Sequence, residues 1–168
     1  MRIHHDHPGH VADFVRLVEA WLGASPWGLE EADHRLLRDP LRILREGGSL
    51  LSLARGDEVV GVCALLRDGA DRIQLARMTV AEAERGQGHG ERLLVAALDR
   101  AREMGVSSVY LLTNTALGPA VHLYRKHGFR TGHEGPHPDY ARCNLVMEMR
   151  IEPAGDSMPV DTTACVDG

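Results

Sequence analysis

Apolar residues change their spacing several times along this chain, and each change marks an element. Val11, Phe14, Val15, Val18 and Leu22 recur at spacings of 3, 4 and 7, which places them on one helical face. Ser25-Pro26-Trp27-Gly28 ends that helix. A second helical stretch is predicted over about 30–46, with Leu36, Leu37, Leu41 and Leu44 apolar. Pro40 lies inside it and should kink or split it, because proline removes a backbone donor. The pattern then becomes that of strands: Leu50–Ala54 and Val59–Leu66, joined by a turn containing Gly56-Asp57. Asp68-Gly69-Ala70-Asp71 turns the chain into a strand at about 72–80. Leu93, Leu94, Ala97, Leu98 and Ala101 mark an amphipathic helix from Gly90 to Met104, stopped by Gly105. A short strand at Val109–Leu112 follows, then a helix at Pro119–His127 closed by Gly128. Residues 2–6, Phe129–Gly132 and Asn144–Ile151 read as the remaining strands.

The order β-α-α-β-β-β-α-β-α-β-β predicts an α+β (mixed α/β) fold, a sheet with helices on its faces. The domain is expected to span residues 1–151, with 152–168 a flexible tail outside it, since that stretch is small, polar and aperiodic. Composition narrows the function classes. At 168 residues, 43% apolar and 26% charged, the chain is an ordinary globule large enough to bury a core. A net charge of −5, with no basic run, argues against a nucleic-acid partner. No apolar run reaches membrane-span length, and the N-terminus lacks the apolar region of a secretory signal. Cys63, Cys143 and Cys165 form no Cys-x-x-Cys motif, so a reduced cytoplasmic protein is expected.

The strongest local signal is Arg85-Gly86-Gln87-Gly88-His89-Gly90, between a strand and a helix. Backbone N–H groups and the helix dipole can hold a phosphate there, and glycines let the ligand approach closely. A Walker loop is excluded, because the only lysine is Lys126. A dinucleotide fingerprint fits poorly: Glu91 stands where glycine or alanine is wanted, and Tyr110–Thr113 offers no acid.

Arg85-x-x-Gly88-x-Gly90 resembles the acetyl-CoA pyrophosphate loop of the GNAT N-acetyltransferases. Leu123-Tyr124-Arg125-Lys126-His127-Gly128-Phe129 is similar to that family's second signature, Leu-Tyr-x-x-x-Gly-Phe. The two motifs are separated by one helix and one strand, as in the family, and the likeness covers about residues 2–151. Tyr140-x-Arg142-x-Asn144-x-x-Met147 is similar to one bacterial branch.

The resemblance implies a twisted mixed sheet of about six or seven strands with about four helices. It implies acetyl-CoA as co-substrate, an amine acceptor and, by analogy with relatives, a possible homodimer. The N–H groups of Gly86, Gln87, Gly88, His89 and Gly90 would cradle the pyrophosphate, with Arg85 adding charge or holding the loop. Met78, Thr79 and Val80 would face the pantetheine arm, with the Met78 amide as the oxyanion donor. Asn114 would bond the pantetheine or the acceptor, and Tyr124 would protonate the departing sulfur. Gln74 stands where many relatives carry a glutamate base and cannot take a proton at neutral pH. That leaves water, or another group such as His133, Glu134, His137, Asp139 or Tyr140 in the last loop, or an amine that arrives neutral. A non-catalytic acyl-CoA-binding module on the same scaffold is the rival reading, and a toxin acting on aminoacyl-tRNA is disfavoured by the charge. Glu30-Glu31-x-Asp33 is read as either a wall for a cationic acceptor or a solvated helix start. His4, His5, His7 and His10 are expected to be an exposed polar end and not a metal site.

Overall fold

The computed structural model describes residues 1–155. Strand β1 (Arg2–His5) leads into three helices, α1 (Val11–Ala24), α2 (Glu31–Arg38) and α3 (Arg42–Arg45). Strands β2 (Ser49–Arg55), β3 (Glu58–Arg67) and β4 (Arg72–Val80) follow, then α4 (His89–Glu103), β5 (Ser108–Thr113), α5 (Gly118–Lys126), β6 (Arg130–Glu134) and β7 (Leu145–Arg150). The helical stretch predicted over 30–46 is two helices, parted at Asp39-Pro40-Leu41. Pro40 has no N–H to donate back into the first of them, so the described residues form five α-helices about the expected sheet. The tail expected at 152–168 falls mostly outside the described residues.

The strands form one sheet in the order β1-β2-β3-β4-β5-β7-β6. Neighbours are antiparallel except β4 and β5, which run parallel and are joined by α4 as a crossover. The sheet is covered on both faces. One core packs α4 (Leu93, Leu94, Ala97, Leu98, Ala101) and Val121 of α5 against β2–β5 and β7. The other packs α1 (Phe14, Leu17, Val18, Leu22), Leu37 and Ile43 against β2 and β3. Burial on both faces explains why β3 reads as an almost unbroken apolar run.

Two departures from regular pairing shape the centre of the sheet. In β4, Thr79 pairs with Val62 and Ala76 with Ala64, so Arg77 and Met78 together stand opposite Cys63. Arg77 takes φ 54, a left-handed conformation that costs a non-glycine residue about 1 kcal/mol or more. This is a β-bulge, and it reverses which face each later residue presents. Ile73 and Leu75 face the α4 layer before it; Met78 and Val80 face that layer after it. The second departure is a split. Pairing of β4 with β5 stops at Leu75–Leu111, while β5 continues along β7 to Thr113. Beyond Leu75 the two parallel strands part and leave one edge of β4 open.

Gly48 fixes the entry into the sheet. A Cβ there would sit 2.2 Å from the Leu65 carbonyl oxygen and 2.9 Å from that of Ile43. Both obstacles are backbone and cannot swing aside. Gly48→Ala is expected to cost about 2–3 kcal/mol, read as a fall in Tm of roughly 5–10 °C for a domain of this size.

Candidate active site

The loop between β4 and α4 is built by glycine conformation. Gly86 and Gly88 take φ values of 76 and 81, so the chain turns through two left-handed residues before α4 begins. Arg85 holds that shape by donating from Nε to the Val80 carbonyl at 3.1 Å. Glu84, just before it, accepts two hydrogen bonds from Arg55 at 2.9 and 2.8 Å, which hold its carboxyl below the ordinary value. Gly90 lies inside the first turn of α4 without a left-handed φ. A Cβ at 86, 88 or 90 would meet no protein atom within 4 Å. Packing therefore does not demand glycine at 90. Instead the three bare positions leave room at a helix N-terminus, where N–H groups and the dipole favour a phosphate.

This loop opens onto a cavity of about 940 Å³ that follows the split in the sheet. Gly86, Gly88, His89 and Gly90 line one end. Met78, Thr79 and Val80 line its side along the open edge of β4, and Asn114 and Tyr124 lie across from them. Tyr124 is half-buried, packed edge-on to Phe129 with ring centroids 5.8 Å apart. Burial, reinforced by Cys63, pushes its hydroxyl up to about 12, so it stays protonated across the neutral range. Its hydroxyl has no hydrogen-bond partner among the described residues and is available to a ligand.

The far end of the cavity is lined by Arg77, Tyr140 and Arg142. Asp33, fully buried behind them, holds the group together. Its carboxylate accepts from both terminal nitrogens of Arg142 and from the Glu30 amide at 2.9 Å, and it pairs with the Arg77 guanidinium at 2.8 Å. Burial alone would raise the Asp33 pKa; the hydrogen bonds from Arg142 and the Glu30 amide and the charges of Arg77 and Arg142 outweigh it and hold the carboxyl below its ordinary value. Glu30 accepts a third bond from Arg142 at 3.1 Å and one from the Ala141 amide at 2.7 Å. Arg77 also donates to the Tyr140 hydroxyl at 3.0 Å. The two guanidinium carbons lie 5.2 and 4.8 Å from the Tyr140 ring centroid.

Residues 14–129, more than half of the chain, match the model of the acetyltransferase (GNAT) family. The chain belongs to the GNAT family. It is 28% identical over 102 residues to the uncharacterized N-acetyltransferase YvbK of Bacillus subtilis, covering 58% of this chain and 66% of that one. It is 32% identical over 127 residues to N-acetyltransferase 8F1 of Rattus norvegicus, covering 70% of this chain and 57% of that one. The chain thus spans less than two thirds of the length of these relatives. Among solved structures, yncA of Salmonella typhimurium, solved with its cofactor acetyl-CoA, superposes with a TM-score of 0.71 at 18% identity, covering 95% of this chain and 97% of that one. At that identity the likeness shows the fold alone.

Within the GNAT frame, the structure brings most of the sequence-predicted residues to one cavity. Met78, Thr79, Val80, Arg85, Gly86, Gly88, His89, Gly90, Asn114 and Tyr124 all line it, and Gln87 does not. Asn114 sits differently from the expectation. Its amide is engaged by protein, donating to the Arg142 carbonyl at 2.8 Å and accepting from the Ala116 amide at 2.9 Å. It braces the loop after β5 against the last loop. Glu30 and Asp33 do not form a wall for a cationic acceptor, because arginines take up their carboxylates and neither lines the cavity. His133, Glu134, His137 and Asp139 lie outside the lining, whereas Tyr140 is part of it. At the N-terminus His7 and His10 stack at 4.1 Å, His7 accepts from the Gly9 amide, and His10 bonds Ser52 at 2.6 Å. Among the described residues no group of three or more His, Cys, Asp or Glu is placed to hold a metal.

The sequence reading missed Arg77 altogether and did not pair Arg142 with Asp33. That pairing spans 109 residues and has no local signal. Removing the central charge tests it. Asp33→Asn would leave the buried Arg77 guanidinium without its anion and Arg142 with Glu30 alone, and is expected to cost about 3–5 kcal/mol, a fall in Tm of roughly 10 °C or more. Because the folded carboxyl titrates below its ordinary value of 3.8, its contribution is present at neutral pH and lost as pH falls through that lowered value. Unfolding of Asp33→Asn should therefore show a shallower loss of stability in acid than the native chain.

Proposed function

We propose that the chain moves an acetyl group from acetyl-CoA to an amine by direct attack on the thioester. The observation that carries this reading is the single cavity running from the bare glycine loop, along the open edge of β4, to the Tyr124 hydroxyl. The loop N–H groups would hold the pyrophosphate, and the free edge from Ala76 to Val80 would take the pantetheine arm as an added strand. The bulge leaves Met78 without a partner in the β3 register, so its amide is the donor for the thioester oxygen as negative charge develops there. The amine nitrogen forms a bond to the carbonyl carbon, the carbon–sulfur bond breaks, and the sulfur takes the Tyr124 proton. The nitrogen gives up its proton to water, since Gln74 lines the cavity where a basic carboxylate would otherwise serve.

Thermal unfolding with acetyl-CoA tests the first half. At about 100-fold over Kd the ligand should stabilise the fold by ~2.7 kcal/mol, or roughly 5–10 °C, and NAD should give no shift. Gly90→Ala separates binding from folding. The variant should be more stable by about 0.5 kcal/mol or more yet bind acetyl-CoA more weakly, because its methyl enters the cradle. An unchanged affinity would place the phosphates elsewhere.

The second half is tested by thiol release with a panel of amines. Tyr124→Phe should lower kcat by about 100-fold or more while sparing acetyl-CoA binding. With a donor pushed up to about 12 by burial, kcat of the native enzyme should hold on the alkaline side to about pH 11. A Tyr124→Phe variant as fast as the native chain would remove tyrosine from the mechanism. Binding without turnover of any amine would make the chain an acyl-CoA-binding module.

A further inference from the structure

The acceptor end of the cavity presents donors, not acceptors. Arg77 is almost fully buried, with only 5% of its side chain exposed; its Nε–H is enclosed by protein, and its Nη1, which is not enclosed, makes no hydrogen bond among the described residues. The Tyr140 hydroxyl accepts from Arg77 and has no acceptor for its own proton among the described residues. Both side chains line the cavity, while the carboxylates that balance the two guanidiniums, Asp33 and Glu30, lie behind them and outside the lining. An unpaired guanidinium N–H at the wall of a cavity carries a desolvation cost, and a ligand oxygen bonded to Nη1 removes it. Two spare donors, one of them charged, match the two oxygens of a carboxylate. Leu17, Trp21 and Trp27 also line the cavity and offer an apolar surface.

From these contacts we propose that the acceptor carries a carboxylate beside its amine, held by Arg77 and Tyr140: a free α-amino acid with an apolar side chain lying against Leu17, Trp21 and Trp27. The inference rests on the transferase reading above. It also fits the chain geometry. Arg77 directly precedes Met78, whose amide is assigned to the thioester oxygen, so the carboxylate clamp and the reacting carbonyl are held by adjacent residues of one bulge. An α-amino acid has its amine and carboxylate on one carbon, which matches that adjacency. The products are the N-acetyl amino acid and the CoA thiol. As before, the nitrogen gains the acetyl carbon, the sulfur gains the Tyr124 proton, and the amine proton leaves to water.

Three acceptors that share one side chain test the assignment: L-phenylalanine, L-phenylalaninamide and phenethylamine, each followed by thiol release from acetyl-CoA. The acid should be preferred over both analogues by about 10- to 100-fold in kcat/KM. Amine protonation cannot produce that order, because amidation makes the amine less basic and so favours the amide. In Arg77→Gln the preference ratio should collapse toward one through a rise in KM for phenylalanine. Arg77→Lys keeps a charge beside Asp33 but loses the planar fork, and should lose most of the preference while retaining the native Tm. Equal or better use of the amide or of phenethylamine would overturn the inference and leave the transferase reading standing. Use of none of the three, with the acetyl-CoA thermal shift intact, would overturn it as well. Absence of that shift would instead overturn the transferase reading, and the inference with it.

Discussion

At Arg77 the backbone enters the left-handed region, and β4 places two residues opposite one of β3. The geometry of the cavity depends on that one extra residue. Without it, Arg77 would follow Ile73 and Leu75 into the apolar layer beneath α4, where a guanidinium has no counterion. With it, the side chain is delivered to the opposite layer, beside Asp33 and Tyr140. The same residue takes Met78 out of register with β3 and turns it toward the α4 side. One local departure from the pleat thus places a charged group on one side of the strand and a residue without a β3 register partner beside it.

A non-glycine residue in this conformation is unfavourable by itself, so something must hold it. The holding group is Asp33, at the start of α2, which ties Arg77 to Arg142 from the last loop. Such a cluster is poor evidence of net stability, because taking several charges out of water costs about as much as their attraction returns. Its effect is positional. It fixes α2, the β4 bulge and the loop before β7 relative to one another at the point where β4 and β5 part. On the other side of the opening, Glu91 of α4 accepts from Lys126 at 2.7 Å and bonds His127 at 2.8 Å, tying α4 to the helix that carries Tyr124.

Much of the fold was legible because it is periodic. Helix α1, the strand run β2 to β4 and α4 each declare themselves by spacing, and Pro40 marked the break that became two helices. The loop between β4 and α4 was legible because the left-handed turns at positions 86 and 88 restrict residue choice to glycine. The bulge had a signal too: apolar positions Ile73, Leu75, Met78 and Val80 skip one step of strand alternation. A strand reading that asks only for apolar content passes over that skip. The partnership of Asp33 with Arg142 had no such trace, since an ion pair between distant segments leaves no period. For the same reason Asn114 was assigned to a ligand, although its amide serves the loop before β7.

The two faces of the sheet carry separate apolar cores, and the two halves of the cavity are built on different ones. The glycine loop and Tyr124 belong to the layer of α4 and α5, whereas Leu17, Trp21 and Trp27 belong to the segment formed by α1 and the turn after it. Strands β2 and β3 carry side chains of both cores. Substitutions in α1 or in the turn after it can therefore reshape that end of the cavity without disturbing the packing that shapes the glycine loop. Such an arrangement leaves the α1 end of the cavity free to vary while the glycine-loop end stays a fixed frame.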